Sequence, residues 1–406
     1  MRFFTSLRMT YKPKNLIKII IMLKKIILFI CLLIFGAGSF YLLKNTDNNK
    51  NVVTLQFASW GSESEIKILK PILSEFEKEN PNIKVDFMHI PQNYFQKIQL
   101  LFASNTSPDV VFMNNQYLPI YANAGVLEDL TNIDFDYDKF YKKSIETLSW
   151  NGKIYGVPRD ISNLVIFYNK DLFKKYNVKF PQNGWNFEDF LMTAKKLTHN
   201  PKEFGISFDE EPLYYMPYMM SEGLVGIPNF DDKISQKGLR FYADLRNKYH
   251  VAPRREESAS ATMAQMFLQG RLAMHLSGRW LVPKYRQEAK FDWDIAEFPK
   301  GSAGSVTPMD ASGWVISKSS KHKNEAIKLV KFLSSEKNLE KFAQSGLIVP
   351  ARIEASNSAN FLDGKKPKHS KIFLTIIETS KPTPVCVNYR KVLDDLKAKT
   401  EYMFAE

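Results

Sequence analysis

Between residues 52 and 125 the chain alternates short apolar runs with longer amphipathic ones, and this alternation limits the fold more than any other feature. Val52 to Ala58 reads as a strand, and 64–79 as a helix with Ile66, Leu69, Ile72, Leu73 and Phe76 on one face. Asn80-Pro81-Asn82 stops that helix. A strand from Ile83 to Phe87, a helix over 92–104, a buried strand at 110–113 and a helix over 116–124 ended by Gly125 complete the series. Strands separated by helices build a parallel, doubly wound sheet, which binds ligands beyond the carboxyl ends of its strands. Two loops fall there: Ser59 to Glu63, which contains Trp60 and Gly61, and Asn114-Asn115-Gln116. Trp60 can stack on a flat ligand or plug the space over the first helix. Of the three amides, one suits a ligand hydroxyl and the others a helix cap.

A second set of elements follows Tyr155. In YGVPRDISNLVIFYNKDLF, residues 155–173, Pro158 pushes Val157 toward extended geometry. Val165 to Tyr168 are β-formers in a run too short for a helix. The segment reads as a strand entering a new sheet, with an ordinary buried strand as the plainer alternative. Helices are expected over 185–197, 238–249 and 324–334. A short strand at Leu272 to His275 leads to the loop Ser277-Gly278-Arg279-Trp280. At 406 residues the chain exceeds one core and suits two lobes.

The net charge of +13 is concentrated at the N-terminus, where residues 1–44 carry eight basic side chains and no acid. The remainder, at +5, has no basic block, which argues against nucleic-acid binding. Lys24-Lys25 precede the uncharged run 26–43, the pattern of an export signal that borders on a membrane anchor. Ala37-Gly38-Ser39 offers a cleavage site, Phe40 to Leu43 favour retention, and Ile30 before Cys31 fits lipidation poorly. Met22 is an alternative start, and 45–51 reads as a linker. Cys31 and Cys386 form no disulfide framework, and six scattered histidines give no metal motif.

In order along the chain stand FASWG at 57–61, FEKENPNIKV at 76–85, SPDVVF at 107–112 and YANAGVLEDL at 121–130. NGKIYGVP at 151–158, FYNKDLF at 167–173, FLQGRLAMHLSGRW at 267–280 and FPKG at 298–301 follow. SGWVISKSSKHKNEAIKLVKFL at 312–333 and GLIVPAR at 346–352 end the series. Each is weak alone; in this order and spacing they resemble the family 1 extracellular solute-binding proteins of ABC importers, the maltose-binding type. The resemblance covers about 52–352. It implies an α/β, two-lobed periplasmic-binding-protein fold of type II, each lobe a mostly parallel sheet flanked by helices. The lobes map to 52–160 with 299–347 and to 161–298 with 348–406. It also implies a monomer with no cofactor and no metal, which binds a carbohydrate-like ligand in the cleft. The ligand passes to membrane permease subunits with a separate ATPase. An exported location, periplasmic or on the outer membrane face, goes with it.

Sugar recognition needs flat apolar faces for the ring and carboxylate, amide or guanidinium groups for its hydroxyls. By resemblance, Trp280 is the stacking aromatic, and Gly313-Trp314 offers a second. Asp160 lies near a hinge and either binds ligand or caps a turn. Glu211 matches a sugar-contacting position, with Tyr214 beside it, although both also fit a solvated acidic loop. Arg352 and Tyr389-Arg390 bring cations near the cleft and open the way to an anionic ligand. The acid common after the third strand is replaced here by amides, so the sugar stays undetermined. Two other readings remain: a glycan-acting enzyme, for which no carboxylate pair or nucleophile motif is fixed, and a tethered receptor or adaptor with the same fold.

Overall fold

The structure is a computed structural model that describes residues 52–258 and 260–405, with Met22, Lys24, Lys25, Ile26 and Ile30 before them. The chain divides into two units, Met1–Val53 and Thr54–Glu406. The described positions of the first before Val52 are helical and exposed. The expectations for cleavage, lipidation, an alternative start and the linker otherwise lie outside the described residues. Among the described residues no helix is long and apolar enough to cross a membrane.

The second unit begins as the alternation requires. Strands β1 (Val53–Ser59), β2 (Ile83–His89) and β3 (Val110–Asn114) are separated by helices Glu63–Glu79 and Tyr94–Ala103. Ser62 starts the first helix by accepting the Glu65 N–H, and the expected face, Ile66 to Phe76, is buried. A hairpin, β4 (Ser149–Trp150) and β5 (Lys153–Ile154), precedes β6 (Gly156–Ser162) and β7 (Leu164–Asn169). Then come β8 (Phe204–Ile206), β9 (Leu272–Gly278), β10 (Trp293–Ala296), β11 (Pro308–Ile316), β12 (Val349–Pro350) and β13 (Lys381–Pro382).

Two sheets result. One runs β12-β6-β11-β3-β1-β2 with β13 against β11, and the other runs β10-β7-β9-β8. A single residue, Asn163, separates β6 in the first sheet from β7 in the second. The 155–173 segment therefore does enter a new sheet. Each sheet has its own core: Ala58, Ile98 and Val111 in the first, and Ile166, Phe190, Tyr218 and Met274 in the second.

The sheets are mixed rather than mostly parallel. β1 and β3 are parallel, but β11 runs antiparallel to both β3 and β6. β6 carries the chain out toward the second sheet and β11 carries it back, so their senses must oppose. In the second sheet β7 is antiparallel to β9 and β10, and β8 is parallel to β9. The stretch 348–406 divides: β12 and β13 join the first sheet, whereas Phe404 of helix Tyr389–Phe404 enters the second core.

Two helices differ from expectation at their starts. An Asn186–Asp189 capping box delays one to Phe187–Lys196. Asp232 caps the other early, giving Lys233–Asn247 with Gly238 inside it. Gly238 is a packing point: a Cβ there would meet the Met219 Cα at 2.5 Å, so helices 212–221 and 233–247 approach closely only without one.

Candidate functional site

A cavity of about 180 Å³ is lined by residues of both sheets and their loops: Trp60, Glu65, Arg159 and Asp160 from the first, Arg279 and Trp280 from the second. Trp60 leaves the end of β1 half-buried and leans on Phe112, Tyr94 and Phe95, with ring centroids 4.4, 5.0 and 5.3 Å away. It is thus both a plug over the first core and a wall of the cavity. Gly61 has φ +147°, and its carbonyl accepts a hydrogen bond from His89 Nε2 at 2.9 Å. Glu63 opens the helix and points to solvent; the carboxylate that turns inward is Glu65, half a turn later.

Glu65, Arg159 and Asp160 form a buried ionic triad. Arg159 Nη1 pairs with Glu65 Oε1, and Arg159 Nε donates to Asp160 Oδ2 at 2.5 Å. The guanidinium lies 4.1 Å over the Phe112 ring and 5.1 Å over Phe342. Burial raises the Asp160 carboxyl above the ordinary carboxylate value, while Arg159 pulls the other way. Asp160 therefore holds an ion pair at the cavity wall and does not serve as a turn cap.

Trp280 stands opposite, half-buried in the turn Arg279–Leu281. Its ring crosses so near Gly278 that a Cβ there would sit 1.9 Å from Cζ3. Arg279 is 3% exposed, and its Nε, Nη1 and Nη2 are all buried without a hydrogen-bond partner. Its Cζ lies 3.8 Å over Phe361. Burial, then Arg286, lowers its pKa to about 9.

A second cavity, of about 360 Å³, is lined by Gln116, Glu211, Tyr214, Asp310, Tyr389 and Arg390, among others. Asp310 accepts hydrogen bonds from Asn115 Nδ2 at 2.9 Å and Gln116 Nε2 at 3.1 Å, and burial raises its pKa. The three amides thus divide their roles. Asn114 Oδ1 accepts the Tyr117 N–H, Asn115 is buried with both ends engaged on β11, and Gln116 reaches the cavity. Glu211 pairs with Lys397 at 2.6 Å on the rim. Tyr214 is half-buried, its pKa raised to about 12 by burial first and then by Asp209. Arg390 is exposed and pairs with Asp394 at 3.5 Å, while Tyr389 is almost wholly buried.

Two expectations are corrected. Trp314 is 1% exposed in β11 beside Phe112, so it is core. Gly313 lets β11 approach β6, because a Cβ there would lie 2.1 Å from the Val157 carbonyl oxygen. Arg352 lines neither cavity; it pairs with Asp136 and Glu354 at 3.5 and 3.6 Å against the 136–140 turn. Sequence reasoning did not single out Glu65, Arg159, Arg279 or Asp310 for the site, whereas Gln116 was among the three amides it named. Only Asp310 left a trace, an acid within the otherwise apolar run of β11.

The profile of the bacterial extracellular solute-binding proteins matches residues 60–340. Maltodextrin-binding protein MdxE of Bacillus subtilis is 26% identical over 366 residues, covering 84% of this chain and 82% of its own. A galactooligosaccharide-binding protein of the same organism is 24% identical over 343 residues, covering 80% and 79%. Among solved structures, an ABC substrate-binding protein from Listeria monocytogenes in complex with cycloalternan aligns with TM-score 0.78 at 28% identity, over 87% of this chain and 94% of that one. The GacH receptor of Streptomyces glaucescens, solved unliganded and with acarbose, shares the fold at TM-score 0.76, 22% identity and the same coverage.

Proposed function

The chain belongs to the bacterial extracellular solute-binding proteins, and from that premise we propose that it is the substrate-binding component of an ABC-type importer. It takes a sugar or sugar-like solute between two lobes, each built on one of the two sheets, and delivers it to a membrane permease. The observation that carries the reading is that Trp60 and Trp280 line one cavity with Glu65, Arg159 and Asp160. Aromatic faces pack on the C–H side of a sugar ring, and charged acceptors and donors take its hydroxyls. Names of relatives support the class: maltodextrin, galactooligosaccharide and cycloalternan binders all resemble this chain. Gln116, Asp310, Glu211 and Tyr214 line the second cavity and extend the site toward a longer ligand.

The solute is bound without turnover, and the body is exported and held outside the membrane by the 26–43 run. Calorimetric titration with maltotriose, a galactooligosaccharide and cyclic glucans tests the binding. Chromatography of the same mixtures after long incubation tests turnover. Heat of binding with no product is the expected result; product formation, or no binding by any saccharide, removes the reading.

A further inference from the structure

The second cavity has a neighbour. A cavity of about 20 Å³ shares Gln116, Tyr389, Arg390 and Leu393 with it. An open groove of about 740 Å³ in turn shares Tyr117, Ile120 and Arg390 with that small cavity. The order is thus chamber, throat and groove, and of their lining residues Arg390 alone belongs to all three. A throat of this size has room for about one water molecule and none for a sugar ring. The groove carries the chemistry for a saccharide. Phe95 and Tyr117 stack with ring centroids 3.6 Å apart, and both stay half-buried. Asn93, Gln96, Gln99 and Asn388 stand exposed along it, and amides both donate to and accept from hydroxyls. Among the described residues no carboxylate lines the groove.

The throat has one loosely held wall. Tyr389 is 1% exposed, Gln116 donates to Asp310 at 3.1 Å, and Tyr117 is stacked on Phe95. Ile120 and Leu393 are half-buried. Arg390 differs: its side chain is 62% exposed, and it pairs at 3.5 Å with Asp394, itself 57% exposed. Water screens so open a pair, which holds the side chain weakly. We propose that Arg390 sets the length of saccharide that the protein takes, by closing the throat between the chamber and the groove. With the side chain in place, a short saccharide fills the chamber. When it swings out, chamber and groove join, and a linear chain runs from one into the other. The outer units of that chain lie on the Phe95 and Tyr117 rings and the amides beside them. A long ligand gains these contacts only by displacing Arg390, which offsets part of the gain. This inference rests on the reading of the second cavity as part of a sugar site.

The test titrates the full chain calorimetrically with maltose, maltotriose and maltohexaose, and with short and long galactooligosaccharides. It reads the ratio of long-chain to short-chain affinity. In the wild type the long chain should bind no more tightly than the short one. Arg390→Ala should raise the ratio about ten-fold or more, and Arg390→Lys, a cation of similar reach, should raise it less. Adding Gln96→Ala and Gln99→Ala to Arg390→Ala should remove most of that gain, because the gain is made in the groove. All three side chains are exposed, so the melting temperature without ligand should stay in place. Should Arg390→Ala fail to fold, the wild-type length profile and the lysine variant still decide. A wild type that already prefers the long chain has an open throat and overturns the inference. A ratio that stays level in Arg390→Ala overturns it, and a ratio that falls makes Arg390 a ligand contact instead. A gain that survives the loss of both glutamines also overturns it, since the chain then leaves by another route. Each of these outcomes leaves the carbohydrate reading standing. Binding by no saccharide at all removes that reading, and this inference with it.

Discussion

Two buried arginines, one from each sheet, contribute to the lining of the same cavity and are held in different ways. Arg159 and Arg279 are both nearly fully buried, and both lie over two phenylalanine rings. Arg159 is clasped by two carboxylates, and Arg279 by none. A clasped charge is part of the scaffold, because removing it strands its partners. An unclasped one costs the fold its desolvation and repays it only when something else supplies an acceptor. The same residue type is thus held by carboxylates on one sheet and by aromatic faces on the other.

The largest effect expected is on Arg159. Arg159→Met leaves Glu65 and Asp160 buried without a cation, and should cost about 3–5 kcal/mol of unfolding free energy. Part of that should return as pH falls, because burial raises the Asp160 carboxyl and favours its protonated form. Arg279→Met strands no carboxylate, so denaturant unfolding without ligand should show stability at or above that of the parent. Equal losses for the two variants would erase the contrast between the walls.

A second comparison sets Asp209 against Glu210, its neighbour in sequence. Glu210 is held below the usual range, first by its hydrogen bonds to Arg255, with Arg246 adding to it. Asp209 is raised to about 7, by burial first and then by Glu211. A carboxyl with a raised folded pKa binds its proton more tightly in the fold than unfolded. Stability therefore falls as pH rises from about 4 to about 7 and is flat above. Asp209→Asn should flatten that fall and stabilise the protein at pH 8 by up to about 4 kcal/mol, at 1.36 kcal/mol per unit. Near pH 4 the two proteins should match. Urea unfolding at both pH values checks this, and parallel curves would place Asp209 in water.

The tryptophans show how far the sequence could be read. Trp60 and Trp314 adjoin a glycine in the primary structure, and Trp280 follows one by two residues. Trp60 and Trp280 follow strand ends, where the chain turns outward, and both reach the cavity. Trp314 lies inside a nine-residue strand that pairs on both sides, and it is core. Strands β1, β2, β3 and β7 were legible because apolar β-formers bounded by turns have few other uses. Glu65, Arg159 and Arg279 were not, because a charged residue in a sequence reads as solvated, and the Glu65–Arg159 pair joins residues 94 apart along the chain. The sense of β11 depended on a return path that no local pattern records.

Trp280→Ala should weaken saccharide binding about ten-fold or more. Lost ring burial adds to about 0.5–1.5 kcal/mol of aromatic packing, and 1.4 kcal/mol is a decade in affinity. The melting temperature should move less than for a core ring, since Trp280 is only partly buried at the edge of the second core. Trp314→Ala provides the counterpart: a cavity cost of about 3–5 kcal/mol in folding, with unchanged affinity in the protein that remains folded. If Trp280→Ala behaves like Trp314→Ala, Trp280 is core and the cavity loses a wall.

The smallest effect belongs to the rim. Glu211 and Lys397 pair at 2.6 Å, but the two side chains are 59% and 37% exposed. Water and salt screen such pairs, which contribute about 0–1 kcal/mol. Glu211→Gln should therefore change the unfolding free energy by less than about 1 kcal/mol, with the difference gone at high salt. Its effect on binding separates two roles. Where Lys397 alone satisfies the carboxylate, maltotriose affinity should stay within a few-fold. A loss of ten-fold or more, unmoved by salt, would mean that Glu211 leaves Lys397 to hold a ligand hydroxyl. The recognition set would then extend from the cavity lined by Trp60 and Trp280 to the open edge of the second cavity.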